Sequence, residues 1–292
     1  MRAGDLVTVA YRRYDEQVVP GKRLGRQLRR DSRSLAYPFQ APAGVTIVNK
    51  LWTRNIPILD QGNVGSCEGN AETGCAATTP VYEALPAAHK TLNEALAVAL
   101  YSKATSIDGF GGTYPPDDTG TDSTSVSQAA KLAGLISGYT HASNLTAVLA
   151  ALMAGPVNVA FDWWDSFDSP ASDGLVTIAP GASVRGGHAL CARGVDVDRK
   201  QVFLDNSWSS DWGDSGSFRV GYGTLDQLMS QGGECVVPLP ASQPPPPPIP
   251  VPDLDHALWA TAGPWSAAGR TRPDLVILKG ALVTWAAGKG LA

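Results

Sequence analysis

Three short segments hold side chains able to act together as a catalyst: residues 59–77 (LDQGNVGSCEGNAETGCAA), 185–197 (RGGHALCARGVDV) and 203–220 (FLDNSWSSDWGDSGSFRV). In the first, Cys67 follows a glycine-rich turn and opens a helical stretch. A thiol of ordinary pKa is mostly protonated at neutral pH, so a cysteine nucleophile needs help to ionise. A helix amino end supplies about half a positive charge there, which favours the thiolate. His188, on a strand of the second half, would complete an ion pair and later protonate a leaving amine. Asn206 would fix the imidazole's orientation, and Trp208 would cover that contact against water. The Gln61 amide and the Cys67 backbone N–H would form an oxyanion hole, where one donor is typically worth about 10²–10³ in rate. Each residue also has an ordinary reading. A cysteine at a helix start is usually a small buried hydrophobe, a lone histidine on an apolar strand a satisfied core residue, and an asparagine at a strand end a turn former.

These residues need a scaffold that changes character midway. Residues 66–85 are Ala/Glu-rich and helical, 92–104 form a second helix, and 125–135 a third with Ser125 or Ser127 as cap. Beyond Gly155 the texture is strand-like: PVNVAF, GLVTIA, HALCARGVDV, QVFLDNSW and GSFRVGYG, each bounded by Gly, Pro or Asp. Helices first and strands second predict an α+β fold of two subdomains with a cleft between them. Cys75 falls two helical turns beyond Cys67 and reads as a core thiol. Cys191 faces away from His188 on the same strand, and Cys235 is open to pairing with it.

The three segments together resemble the papain-like cysteine peptidases, over roughly 45–240. The family pattern has a Gln six residues before the Cys of DQGxxGSC, then Gly-His-Ala, then NSWGxxWGxxG. Here these are Gln61 with Cys67, Gly187-His188-Ala189, and Asn206-Ser207-Trp208 through Gly216. The middle run, LYSKATSIDGFGG followed by GTDSTSVSQAAKLAGLI, looks like the bacterial and viral branch. The resemblance implies the papain-like two-subdomain fold, with a helical first half and a β-rich second half. It also implies an endopeptidase acting through a Cys67 thioester on peptide or protein substrates, with no cofactor and no metal. By the same resemblance Gly120, Thr121 and Asp122 in the strip up to Ser123, with Gly187, hold the substrate backbone. Trp212, Gly213 and Gly216 are structural.

Four departures matter. Val64 stands where plant and lysosomal members have a disulfide cysteine, Glu68 replaces the tryptophan after the nucleophile, and Ser209 replaces the glycine after NSW. A Glu68 carboxylate beside the sulfur should raise the thiol pKa. The 44 residues before the domain are much shorter than the family's long helical inhibitory propeptide.

Those residues, 1–44, form a basic arm with nine Lys/Arg against four Asp/Glu, on a chain whose net charge is −4. An arm of this kind most often packs on its own acidic body; the rival is binding to an anionic surface. The acidic body excludes nucleic acid as its partner. No apolar run is long enough to span a membrane, no secretory signal is read at the start, and four irregularly spaced cysteines do not make a disulfide scaffold. With 43 % hydrophobic residues the chain can bury a core.

Residues 241–252 (ASQPPPPPIPVP) read as a polyproline linker and 253–292 as a short helical module. Leu275, Leu278, Leu282 and Trp285 form its apolar stripe after Pro273, with Gly288 as a stop and Trp259 and Trp265 before it. This module either docks on the peptidase or attaches to a larger assembly or cell wall, which makes a virion-borne or surface-associated enzyme one expectation. Two other readings compete: a papain-fold structural component of an assembly such as a phage particle, and a wall-peptide amidase of the smaller Cys–His folds. The second of these lacks the NSW…WG segment.

Overall fold

In the computed structural model, residues 9–31 and 37–243 are described; the proline run from Pro244 and the 253–292 module lie outside them. Three helices build the first half: α1 (Cys67–Ala76), α2 (Glu94–Thr105) and α3 (Ser123–Leu132). Asn93 caps α2 and Asp122 caps α3, each side chain accepting the backbone N–H three residues on. The third helix therefore starts two residues ahead of its expected bounds, with Asp122 and not Ser125 or Ser127 as its cap. The first helix is shorter than the expected 66–85. Pro80 has no N–H to donate and disfavours helical backbone at Thr79, so the chain turns after Ala77.

The second half is a sheet whose strands run in the order β4 (Ile136–His141), β10 (Glu234–Pro240), β5 (Val157–Trp164), β7 (Val184–Asp196), β8 (Gln201–Asp205), β9 (Ser217–Gly221) and β6 (Leu175–Val176). A short strand β3 (Lys50–Leu51) also pairs with β7. Neighbours are antiparallel except β6 and β9. The GLVTIA segment gives only the two residues of β6. In the body, β3, β4, β10, α4 (Leu145–Ala154, capped by Asn144) and α5 (Tyr222–Ser230) had no sequence expectation, the first residues of α5 being read as part of the preceding strand. The arm forms a hairpin of β1 (Val9–Arg12) and β2 (Leu28–Asp31).

Two apolar cores result. One lies on the sheet, among Val159, Phe161, Trp163, Leu190, Leu204, Phe218 and Leu225. The other joins the helices through Leu85, Leu100, Val126 and Ala130. At their seam Cys67 and Ala71 of α1 pack on Ala160 of β5 and Ala189 of β7. A side chain at Gly69 would sit 2.1 Å from the Ala97 carbonyl, so a glycine there lets α1 approach α2. All four cysteines are free and buried, so Cys191 and Cys235 are not bridged. Among the described residues no helix is long and apolar enough to cross a membrane.

Candidate active site

Cys67 is the first residue of α1 and is fully buried. His188 lies on β7 opposite Phe161, one residue before the Ala189 that packs on Cys67. Asn206 follows the end of β8, its N–H anchored on the Gly216 carbonyl at 2.9 Å. The imidazole Nε2 and Asn206 Oδ1 are 2.7 Å apart, and Oδ1 also accepts the Ser207 N–H at 2.8 Å. An oxygen that accepts from Ser207 cannot donate to the ring, so the ring proton sits on Nε2. Nδ1 is then left as a lone pair, buried and without a hydrogen-bond partner. Trp208 stacks on the imidazole at 5.0 Å and 28°, and Trp163 meets it edge-on at 4.8 Å. Trp163 carries no motif, and only its place on β5 beside β7 brings it here.

Gln61 is held on both sides of its amide. Its Oε1 accepts from Ser207 Oγ at 2.6 Å, and its Nε2 donates to the Val64 carbonyl at 2.8 Å and the Leu24 carbonyl at 3.2 Å. Ser207 is thus a positioning residue that the motif contained without its role being read. Ser209, in place of the family's glycine, takes φ +64°, the left-handed backbone a glycine would adopt.

Leu24 belongs to the arm, which runs through the cleft. Thr121 N–H donates to the Gly25 carbonyl at 2.9 Å, and Gln27 N–H donates to the Thr121 carbonyl at 2.7 Å. The Gly187 carbonyl accepts from Gly25 and Arg26 N–H at 3.3 and 3.0 Å, and Trp208 Nε1 donates to the Arg23 carbonyl. Gly25 passes a slot in which a side chain would lie 2.1 Å from the Gly65 carbonyl oxygen. Gly120 is equally tight, since a side chain there would meet the Gly25 carbonyl at 2.1 Å. Of the expected strip, Gly120, Thr121 and Gly187 touch this guest's backbone, while the Asp122 carboxylate caps α3 and faces Arg29 of the arm at 3.9 Å. The arm is thus seated where the substrate backbone was expected.

Burial shifts both titratable groups of the pair. It pushes the Cys67 thiol well up, aided by Glu68, and pulls His188 down to about 3 against the help of Asn206. Both shifts act against the charged forms of the pair. Glu68 turns away into a buried polar cluster, accepting from Ser123 Oγ at 2.8 Å and Asn158 Nδ2 at 3.2 Å. Desolvation raises its pKa to about 8, and those of Glu72 and Asp122 to about 7.

Over 87 residues the chain is 34 % identical to cathepsin B-like cysteine proteinase 6 of Caenorhabditis elegans, covering 29 % of this chain and 22 % of that protein. Over 71 residues it is 38 % identical to a cathepsin B-like cysteine proteinase of Schistosoma japonicum, covering 24 % of this chain and 20 % of the relative. The chain thus spans about a fifth of the length of these curated relatives. The fold is similar to that of xylellain, a cysteine protease from Xylella fastidiosa, with a TM-score of 0.62 at 16 % identity over 78 % of this chain and 98 % of that one. The family model for the papain family of cysteine proteases matches residues 39–236, and with most of the chain so covered, this protein belongs to that family.

Proposed function

We propose that the protein is a cysteine endopeptidase in which Cys67 attacks the scissile carbonyl once the arm has left the cleft. The Cys67 proton passes to His188 Nδ1, the sulfur bonds to the carbonyl carbon, and the oxyanion is held by Gln61 Nε2 and the Cys67 N–H. His188 then returns the proton to the departing amine, leaving a thioester. Water, deprotonated by the same imidazole, cleaves the thioester and frees the acid and the thiol. The observation that carries this reading is the pairing of two features. One is an imidazole whose Nε2–H is committed to Asn206 while Nδ1 is unpartnered. The other is a peptide carbonyl already resting on the Gln61 amide.

The test is labelling with an epoxide-type thiol inhibitor, read by intact mass, on the full chain and on Cys67→Ala. One adduct per chain, absent from Cys67→Ala, with peptide hydrolysis lost by at least about 10³-fold in the same variant, is the expected result. No adduct and no turnover would favour a papain-fold structural component instead.

A further inference from the structure

One carboxylate ties both walls of the cleft. Asp118 lies in the loop between α2 and α3. Both of its oxygens accept the Gly65 N–H at 3.0 Å, Oδ1 accepts from Tyr101 Oη at 2.7 Å, and Oδ2 accepts from Arg23 Nη2 of the arm at 3.1 Å. Tyr101, fully buried on α2, in turn accepts the Gly120 N–H at 2.9 Å. Burial, and then the hydrogen bond and charge of Asp118, push the Tyr101 pKa up, so its hydroxyl stays a donor.

On one wall, Gln61 and Val64 close a turn on themselves. The Val64 N–H donates to the Gln61 carbonyl at 3.1 Å, and Gln61 Nε2 donates to the Val64 carbonyl at 2.8 Å. Gly65 leaves that turn two residues before Cys67. A side chain on Gly65 would lie 2.8 Å from Asp118 Oδ1, so a glycine is what admits the carboxylate this closely. Val64 carries no sulfur, so Asp118 ties this loop through hydrogen bonds and not through a covalent bridge at that position. On the other wall, Gly120 precedes Thr121, whose backbone pairs with the arm. Arg23 departs with the arm, whereas Gly65, Tyr101 and Gly120 belong to the body, and their bonds need no residue of the arm.

A buried N–H without an acceptor is costly, and an ionised acceptor makes the stronger bond. A carboxylate that satisfies Gly65 and reaches Gly120 through a single phenol therefore fixes both walls at once. We propose that Asp118 is a positioning residue for the reaction: through Gly65 it holds the Gln61 turn against the oxyanion, and through Tyr101 it holds the strip that binds substrate backbone. This rests on the peptidase reading and adds to it a residue that acts only through others.

The experiment uses full-length protein carrying Arg23→Ala, so that loss of the arm's own contact with Asp118 is common to every variant compared. Active sites are counted by epoxide labelling read by intact mass, and kcat and KM for a fluorogenic peptide are expressed per labelled site. Adding Asp118→Ala should lower kcat per site at least about tenfold. The amide oxygen of Asp118→Asn can stand in for Oδ1 and accept from both Gly65 and Tyr101, so kcat should stay within about threefold of the Arg23→Ala reference. Tyr101→Phe leaves the Gly65 bond and removes the acceptor of Gly120, so KM should rise at least about threefold with kcat within about threefold. A residue that only stabilised the fold would lower the labelled fraction and the melting temperature and leave kcat per site unchanged. That result, or an asparagine variant as slow as the alanine one, overturns the proposal. If Asp118→Ala does not fold, judged by circular dichroism and melting, Tyr101→Phe decides it, and an unchanged KM overturns it. An Arg23→Ala protein that labels and cleaves, but in which these changes are absent, loses this inference alone. One that neither labels nor cleaves loses the peptidase reading and this inference with it.

Discussion

Asn206 Oδ1 accepts both the imidazole Nε2–H and the Ser207 N–H, so two donors fix one oxygen and one tautomer. Nδ1 is free to take the thiol proton only while Nε2 holds its own. Asn206→Ala removes that acceptor, and we expect kcat to fall about 10–10²-fold with KM changed far less. Asn206→Asp keeps an acceptor and adds a charge that favours imidazolium, so it should retain more activity than the alanine variant and carry activity to higher pH. A pH–rate profile identical for the two would show that the side chain only fills space. Ser207→Ala tests the second anchor. Without Ser207 Oγ the Gln61 amide can rotate, and a loss of about tenfold in kcat is expected, smaller than deletion of an oxyanion donor itself. A loss confined to KM would place Gln61 outside the transition state.

The seam of α1, α3 and β5 buries three carboxyls: Glu68, Glu72 and Asp122, with Ser123, Ser125, Ser127 and Asn158 as donors. Their pKa values in the folded chain, about 8, 7 and 7, lie above the ordinary range, so the folded state binds more protons than the unfolded one between about pH 4 and 8. Their contribution to stability is complete at low pH and is lost as pH rises through 7 to 8. His188, lowered to about 3, acts in reverse: its contribution is present above about 6.5 and is lost as pH falls towards 3. Above 6.5 only the acids act, and below it three groups oppose one. The melting temperature should therefore be highest near pH 4 and fall by pH 8, a decline that Glu68→Gln makes shallower. A flat or rising melting temperature from pH 6.5 to 8 would contradict raised carboxyl pKa values here. This cluster was hard to read from sequence, because Glu68 stands beside the nucleophile in the chain and only the helix turns its side chain away. Cys67, His188, Asn206 and Gln61 were legible because each sits in a short motif whose residue types the chemistry constrains. The Asp122 cap, α4 and α5 were not, since serines competed for one cap and apolar runs without periodicity fit helix or strand alike.

At the scale of the whole molecule, a basic arm lies on an acidic body and passes beside Gln61, Thr121, Gly187 and Trp208. The sequence carried the charge complementarity but not the seat. Most of the seat is backbone pairing to Thr121 and Gly187, which no side-chain pattern announces. Gly25 is where the seat can be broken with least disturbance to the body. Its φ is +142°, and a side chain on it would come within 2.1 Å of the Gly65 carbonyl, which is backbone and cannot swing aside. Gly25→Ala therefore cannot keep the arm in this register, whereas the cores of the body contain neither Gly25 nor its immediate contacts at Gly65 and Gly120. Gly21→Ala is the control for a left-handed backbone alone: its φ of +69° is a milder strain than that at Gly25, and nothing lies within 4 Å of the added carbon. We expect Gly25→Ala to label with the epoxide inhibitor and cleave peptides at least about tenfold faster than wild type, with Gly21→Ala within about threefold of it, since a state that must open before reacting is slowed in proportion to its open fraction. Limited proteolysis should cut the arm of Gly25→Ala first and leave residues 37–243 intact. Equal labelling rates for Gly25→Ala and wild type, with the arm equally protected, would mean that the arm yields to substrate without resistance and does not gate the cleft.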